Sequence, residues 1–432
     1  MTALSTRHQP GLLENAVVAS RTTAPLVIAA TVFVVLRIVA VANVPVVVST
    51  DTPSYEDLNF LGDATRLWVV PLLWKLTPDA TWTHVGLGIA AWLTLAVVTF
   101  NVMRDRRVAI VGYLTILILG LCVPMIEWDR ALLSESVSLS SLLFVVAAIL
   151  LLADRYSRPR AAFLIVVLTT WVFARHADAL LFVVVAPPVI IALLLTRRRE
   201  LVVGLALPLV LLAGWTAFAL PRENSIWKYN AVGVIQNRVL TDSAATAFFR
   251  DRGMPNTALI RSQADEPFRW RSPLLKHPPL RAWVNSDFRR TYIEYLATHP
   301  FGTVRRPLGD FGAATLNQAG YTAPRRVLPV AVHKAVWSSR NGLVLLTILA
   351  LTSVLLATRA QVTSRGMWIA VAGVGVAGLW GIMIWHQAAT ELTRLFAPVS
   401  LLLHVSLVLM LLFAVDGLSR KRSPARNGLD TG

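Results

Sequence analysis

The sequence predicts an all-α polytopic membrane protein of about ten transmembrane helices, with a small extracytoplasmic domain inserted between helices 7 and 8. Three observations predict it. Hydrophobic residues fill 55% of the 432 positions and charged residues only 15%, with a mean hydropathy of +0.60. Soluble chains carry about a quarter charged residues. Apolar runs near the length that crosses a hydrocarbon core, about 20 residues in helix, recur along the chain. The short connections between those runs are basic in alternation, as a bundle with one cytoplasmic face requires.

Roughly ten segments qualify as spans: 24–48, 84–102, 108–126, 136–153, 161–174, 178–195, 201–220, 341–357, 366–385 and 395–415. Alternate connections hold Arg104 to Arg107, Arg155 to Arg160, Arg197 to Arg199, Arg359 with Arg365, and Arg420 to Arg422. With ten spans all of these share one side, together with Arg7 and Arg21 near the start. That side reads as cytoplasmic, with both termini on it, in the plasma membrane. The opening residues contain no short apolar core with a cleavage site, so no removable signal peptide is expected.

The chain divides into an N-terminal transmembrane module (1–220) with a first external loop at 49–83, an extracytoplasmic domain (221–340), and a C-terminal transmembrane module (341–432). Segment 221–340 is far too long for a turn and mixes Trp270, Trp283, Phe288 and Tyr295 with polar residues. Asp242 is placed to cap a helix ending near Arg252, Gly253 and Pro255, and 288–298 reads as helical up to His299-Pro300. The segment holds 18 Lys and Arg against 8 Asp and Glu, a net of +10. Long loops escape the positive-inside rule, so this excess leaves the orientation intact. Residues 67–76, with Trp68, Trp74 and a proline, are too few to span and read as an interfacial helix.

The single cysteine, Cys122, lies in an apolar run, which excludes an intramolecular disulfide and a cysteine metal site. A formal charge of +17 on so apolar a chain points to the bilayer and to phosphate-bearing lipids rather than nucleic acid.

The candidate site residues lie in the connections on the other side. Asp51 falls where the first span leaves the membrane. It is either a half-desolvated carboxylate able to act as a base or simply the start of a Pro53 turn. The second external turn carries Glu127, Asp129, Arg130 and Glu135. Glu135 sits at the start of the fourth span, where an ionisable group is expensive. Its competing reading is packing: Asp129 or Glu135 paired with Arg130 or Arg37. Arg175 and Asp178, three apart, pair on a helix end or leave Arg175 for a lipid phosphate, which a guanidinium binds by two parallel hydrogen bonds. His176 reads as an interface residue. The last external turn offers His386, Glu391 and Arg394, with the first two badly spaced for a shared metal. Arg37, mid-span, faces the bundle or snorkels.

This layout, over most of the chain, resembles the GT-C superfamily of membrane glycosyltransferases, which take sugars from polyprenyl phosphates. Asp51 with Tyr55 resembles the acidic motif that opens the first external loop. Leu132-Leu133-Ser134-Glu135-Ser136 resembles the acidic segment at the fourth helix. Ala174-Arg175-His176 resembles an arginine-bearing external turn, and Glu391-Leu392-Thr393-Arg394 with Pro398 the start of a late helix. The resemblance implies an inverting transfer to an extracytoplasmic hydroxyl on a cell-envelope glycan, lipid or protein. Asp51 would be the base, Arg175 and Arg394 would hold the donor phosphate, and Asp129 or Glu135 would position the acceptor. Tyr55, Arg130, Asp178 and Glu391 would support them. Thr52 replaces the second acid of members with paired acids, so a divalent metal is left unsupported and no cofactor is assigned. Two other readings of the same layout are a lipid-linked-sugar transporter or flippase and a noncatalytic cell-envelope scaffold.

Overall fold

A computed structural model of the chain describes residues 12–60, 66–195, 199–220, 226–264, 266, 272–316 and 320–421, with side chains from 24 onward except at 226 and 338. Trp270 therefore lies outside the described residues. The protein is all-helical: among the described residues no strand forms, only one isolated parallel bridge between Val47 and Ala131.

Eight helices are long and apolar enough to cross a membrane: Ala24–Val41, Ala80–Val102, Glu135–Asp154, His176–Leu195, Arg199–Ala219, Arg340–Arg359, Arg365–Gln387 and Ala397–Lys421. The sequence expectation of about ten differs at two places. Arg106–Gly120 and Arg158–Val172 are helices of 15 residues each, shorter than the roughly 20 that a straight crossing takes. The predicted run 108–126 breaks after Gly120 because Pro124 enters a separate short helix, Val123–Ile126. The first predicted run also ends early, at Val41, and residues 42–48 leave the helix.

The last helix is the centre of the bundle. Of its most apolar window 89% is buried, against 11% in Arg340–Arg359, which therefore lies on the periphery. A Cβ at Gly381 would run into the Phe311 ring, so this glycine sets how closely Arg365–Gln387 meets the helix Pro300–Leu316.

Basic connections gather at one end. Asp416 Oδ1 accepts the backbone N–H groups of Arg104 and Asp105 at 3.0 and 2.7 Å, and Arg365 reaches the Ala153 carbonyl at 3.2 Å. Described residues between 231 and 288, among them Ile235, Ile260 and Leu274, build a second hydrophobic cluster around Phe249, Trp283 and Phe288, separate from the bundle core. As its sequence suggests, Asp242 caps Ser243–Arg250 by accepting from Ala245 N. The helix Phe288–Thr298 ends at His299, and Pro300 immediately starts another, Pro300–Leu316. Proline suits a first helical turn, where its missing N–H costs nothing.

Candidate functional site

The end of the bundle opposite the basic connections is assembled by backbone pairing. Val47 N donates to the Arg130 carbonyl at 2.9 Å, and Leu132 N donates to the Val47 carbonyl at 3.0 Å. Thr52 Oγ1 adds a bond to the Leu132 carbonyl at 2.9 Å. These three bonds zip the exit of the first span to the turn before the helix Glu135–Asp154. Asp51 is thereby delivered to the start of that helix across about 80 residues of sequence.

Glu135, the first residue of its helix, is fully buried and is the hub. Its Oε1 accepts from Arg394 Nε at 2.6 Å and lies 3.3 Å from Arg175 Nη2. Two guanidinium groups and a helix N-terminus together hold a buried carboxylate. Arg394 continues outward: its Nη1 lies 3.0 Å from both Asp51 Oδ2 and Glu391 Oε2. Burial opposes charge on Arg394, but Glu135 and Glu391 outweigh it and raise the guanidinium further above its ordinary value. Asp51, about one-third exposed, is also 3.3 Å from Arg66 Nη2. Thus Asp51, Glu135, Arg175, Arg394 and Glu391 form one connected charge network.

Glu391 adopts φ +54°, the left-handed region that a non-glycine residue enters at a cost. The turn aims Arg394 back into the bundle. Tyr321 anchors it: its hydroxyl donates to Glu391 Oε1 at 3.1 Å and its ring sits beneath Arg394 Cζ at 5.4 Å. Burial, opposed by Arg394, pushes the Tyr321 phenol up to about 12, so it stays protonated and donates at neutral pH.

Other candidate residues take structural places. Asp129 is not in the network. Arg37 grips it with Nε and Nη2, each at 3.1 Å, and donates to the Gly120 and Met125 carbonyls as well. Both residues are buried. A Cβ at Gly88 would stand 2.7 Å from Arg37 Nη2, so the glycine lets this side chain pass. Arg130 ties two elements together: it donates to the Val44 carbonyl at 3.2 Å and to the Thr81 hydroxyl oxygen at 2.8 Å. Tyr55 donates to Ser134 Oγ at 2.9 Å, one residue from the hub.

Arg175 turns to Glu135, and Asp178 accepts from Ser138 Oγ at 2.6 Å. Three buried atoms then keep hydrogen-bonding capacity that no described group uses: Glu135 Oε2, Arg175 Nη1 and Asp178 Oδ1. Buried polar atoms ordinarily find partners, so such a cluster marks a place for water or ligand. His386 belongs elsewhere. Its Nε2 donates to the Thr303 carbonyl at 2.9 Å, leaving Nδ1 to accept from Tyr292 at 2.8 Å. Among the described residues no three His, Cys, Asp or Glu side chains are arranged to hold a metal.

Sequence reasoning missed Arg66, Tyr321 and His84. His84 is buried within electrostatic reach of Glu135 and accepts from Trp74 Nε1 at 3.3 Å. Arg66, the one basic residue between 49 and 74, was a findable signal. Tyr321 carries none, because only the return of the chain after 320 brings it here.

Fold and site together define an all-helical protein of the multi-pass membrane class with a buried charge network at one bundle end. No protein-family model matches the chain, and neither does any curated protein or solved structure.

Proposed function

We propose that the chain is a membrane glycosyltransferase that moves a sugar from a polyprenyl-phosphate donor to an extracytoplasmic hydroxyl, with inversion at the anomeric carbon. The observation that supports this reading is the joining of Asp51 to Glu135, Arg175 and Arg394 in one network, with the carboxylate of Asp51 on its accessible side. With the basic connections cytoplasmic, the network faces outward, and the two 15-residue helices complete a ten-helix bundle by crossing a locally thinned bilayer.

In the proposed reaction the donor phosphate takes over hydrogen bonds from Arg394 and Arg175. The donor phosphodiester carries one negative charge, as a carboxylate does, gains a second as it leaves, and matches the guanidinium fork. Asp51 loses its Arg394 partner and is free to accept a proton. The acceptor oxygen attacks the anomeric carbon as its proton passes to Asp51, the bond from that carbon to the phosphate oxygen breaks, and polyprenyl phosphate leaves. Arginine charge stabilises the leaving group, which needs no proton. Glu135 keeps both guanidiniums oriented. The acceptor is a glycan, lipid or protein of the cell envelope, and residues 221–340 face it.

The test uses purified protein in proteoliposomes with a polyprenyl-phosphate sugar labelled in the sugar and acceptors extracted from the same envelope. The proposal expects label in an acceptor with inverted configuration. Donor exchange between leaflets without transfer would replace it with the transporter reading, and neither activity with the scaffold.

A further inference from the structure

We propose that the helix Pro300–Leu316 is an interfacial element that docks Phe301, Val304 and Leu308 among anionic phospholipids of the bilayer that the chain itself spans. The proposal stands independently of the reaction above.

One side of this helix is fixed across the ends of two spanning helices. Trp385 Nε1 donates to Asp310 Oδ2 at 2.9 Å, and His386 Nε2 donates to the Thr303 carbonyl at 2.9 Å. Both donors lie in the last turn of Arg365–Gln387. Ser400 Oγ, in the first turn of Ala397–Lys421, donates to the Thr315 carbonyl at 2.5 Å. Pro307 and Ala314, one side of the helix, are buried. These contacts hold Pro300–Leu316 at the depth where the spans leave the hydrocarbon.

The neighbouring side is apolar and open. Phe301, Val304 and Leu308, at i, i+3 and i+7, share one face, and they are 89%, 44% and 54% exposed. Leu351, on the peripheral spanning helix, is 56% exposed in the same way. An apolar stripe as open as a lipid-facing span, placed at the span ends, fits acyl chains near the headgroups. Arg305, next to Val304, is exposed on the adjoining flank. The helix belongs to the segment 221–340, whose net charge of +10 favours anionic headgroups.

The chain's single cysteine makes the test direct. In a Cys122→Ala background, nitroxide is placed at Phe301→Cys, at Leu351→Cys as the lipid reference, and at Asn256→Cys as the water reference. Collision rates with oxygen and with a water-soluble nickel chelate are read in full-length protein in phosphatidylglycerol-containing vesicles. The expected oxygen-to-nickel ratio at position 301 falls on the Leu351 side, and it decreases in pure phosphatidylcholine or on adding Arg305→Gln. A ratio equal to that at Asn256 overturns the docking. Suppressed collisions with both reagents also overturn it, because a protein partner then covers the face. Equal ratios in the two lipids overturn the anionic preference.

Discussion

Arg394 donates from Nε to Glu135 Oε1 at 2.6 Å across 259 residues of sequence, tying the last turn of the bundle end to the first residue of a central helix. The pair is buried on both sides. Removing one partner of such a pair leaves an unbalanced charge, which costs about 3–5 kcal/mol. Glu135→Ala is therefore expected to lower the thermal unfolding temperature in detergent sharply, since it strands Arg394 and Arg175 together. Unchanged unfolding would mean that the network does not hold the fold.

Arg37 and Asp129 form a second buried pair, separate from the first. Arg37→Met or Asp129→Leu alone is expected to destabilise by about 3–5 kcal/mol. The double replacement recovers much of that loss, because two apolar side chains need no charge balance. Unfolding measurements on the four proteins of the cycle give the coupling, expected to exceed the cost of either single replacement, about 3–5 kcal/mol. Additive losses would contradict the pairing.

The apolar runs made the spanning helices legible, and Glu135 and Arg394 stood out because an ionisable group at a span end is costly. The sequence could not separate Asp129 from Glu135, both acids in one turn. Only the path of Arg37 past Gly88 decides that Asp129 is spoken for. Hydropathy overreads the helix at 108–126, where it runs on through Pro124, whereas the short run 161–174 matches the helix Arg158–Val172 to within three residues. The backbone pairing of Val47 with 130–132 was invisible, since residues 42–48 look like more apolar span. Tyr321 was unreadable because its contacts are all distant in sequence.

Asp79 caps the helix Ala80–Val102, accepting from Thr81 N and Trp82 N at 2.8 and 3.1 Å. The Trp82 N–H first, and then the Thr81 hydroxyl, hold its carboxyl below the usual range. Its folded value is below the unfolded value of about 3.9. The stabilisation is thus present above that unfolded value and lost as pH falls through the folded one. Asp79→Ala is expected to cost about 1 kcal/mol at pH 7. The stability gap between the native chain and Asp79→Asn should change below about pH 3.9 and stay flat above it. A gap that does not vary with acid would refute the cap.

Arg175 has one nitrogen on Glu135 and another, Nη1, without a described partner. A lysine keeps the charge and loses the fork. Arg175→Lys is expected to raise KM for the polyprenyl-phosphate donor about ten- to hundredfold, the worth of one charged hydrogen bond at about 1.5–3 kcal/mol. An unchanged donor KM would remove Arg175 from phosphate binding.

Asp51 carries the central claim, because it is exposed enough to meet an acceptor and tied to Arg394, a position that Glu391 shares within the network. The decisive measurement is the rate of sugar transfer by Asp51→Asn in proteoliposomes, read beside its unfolding temperature. The account predicts a rate reduced about 100- to 10,000-fold, the worth of a general base, with the fold retained. Transfer at the native rate by a folded Asp51→Asn protein would contradict it.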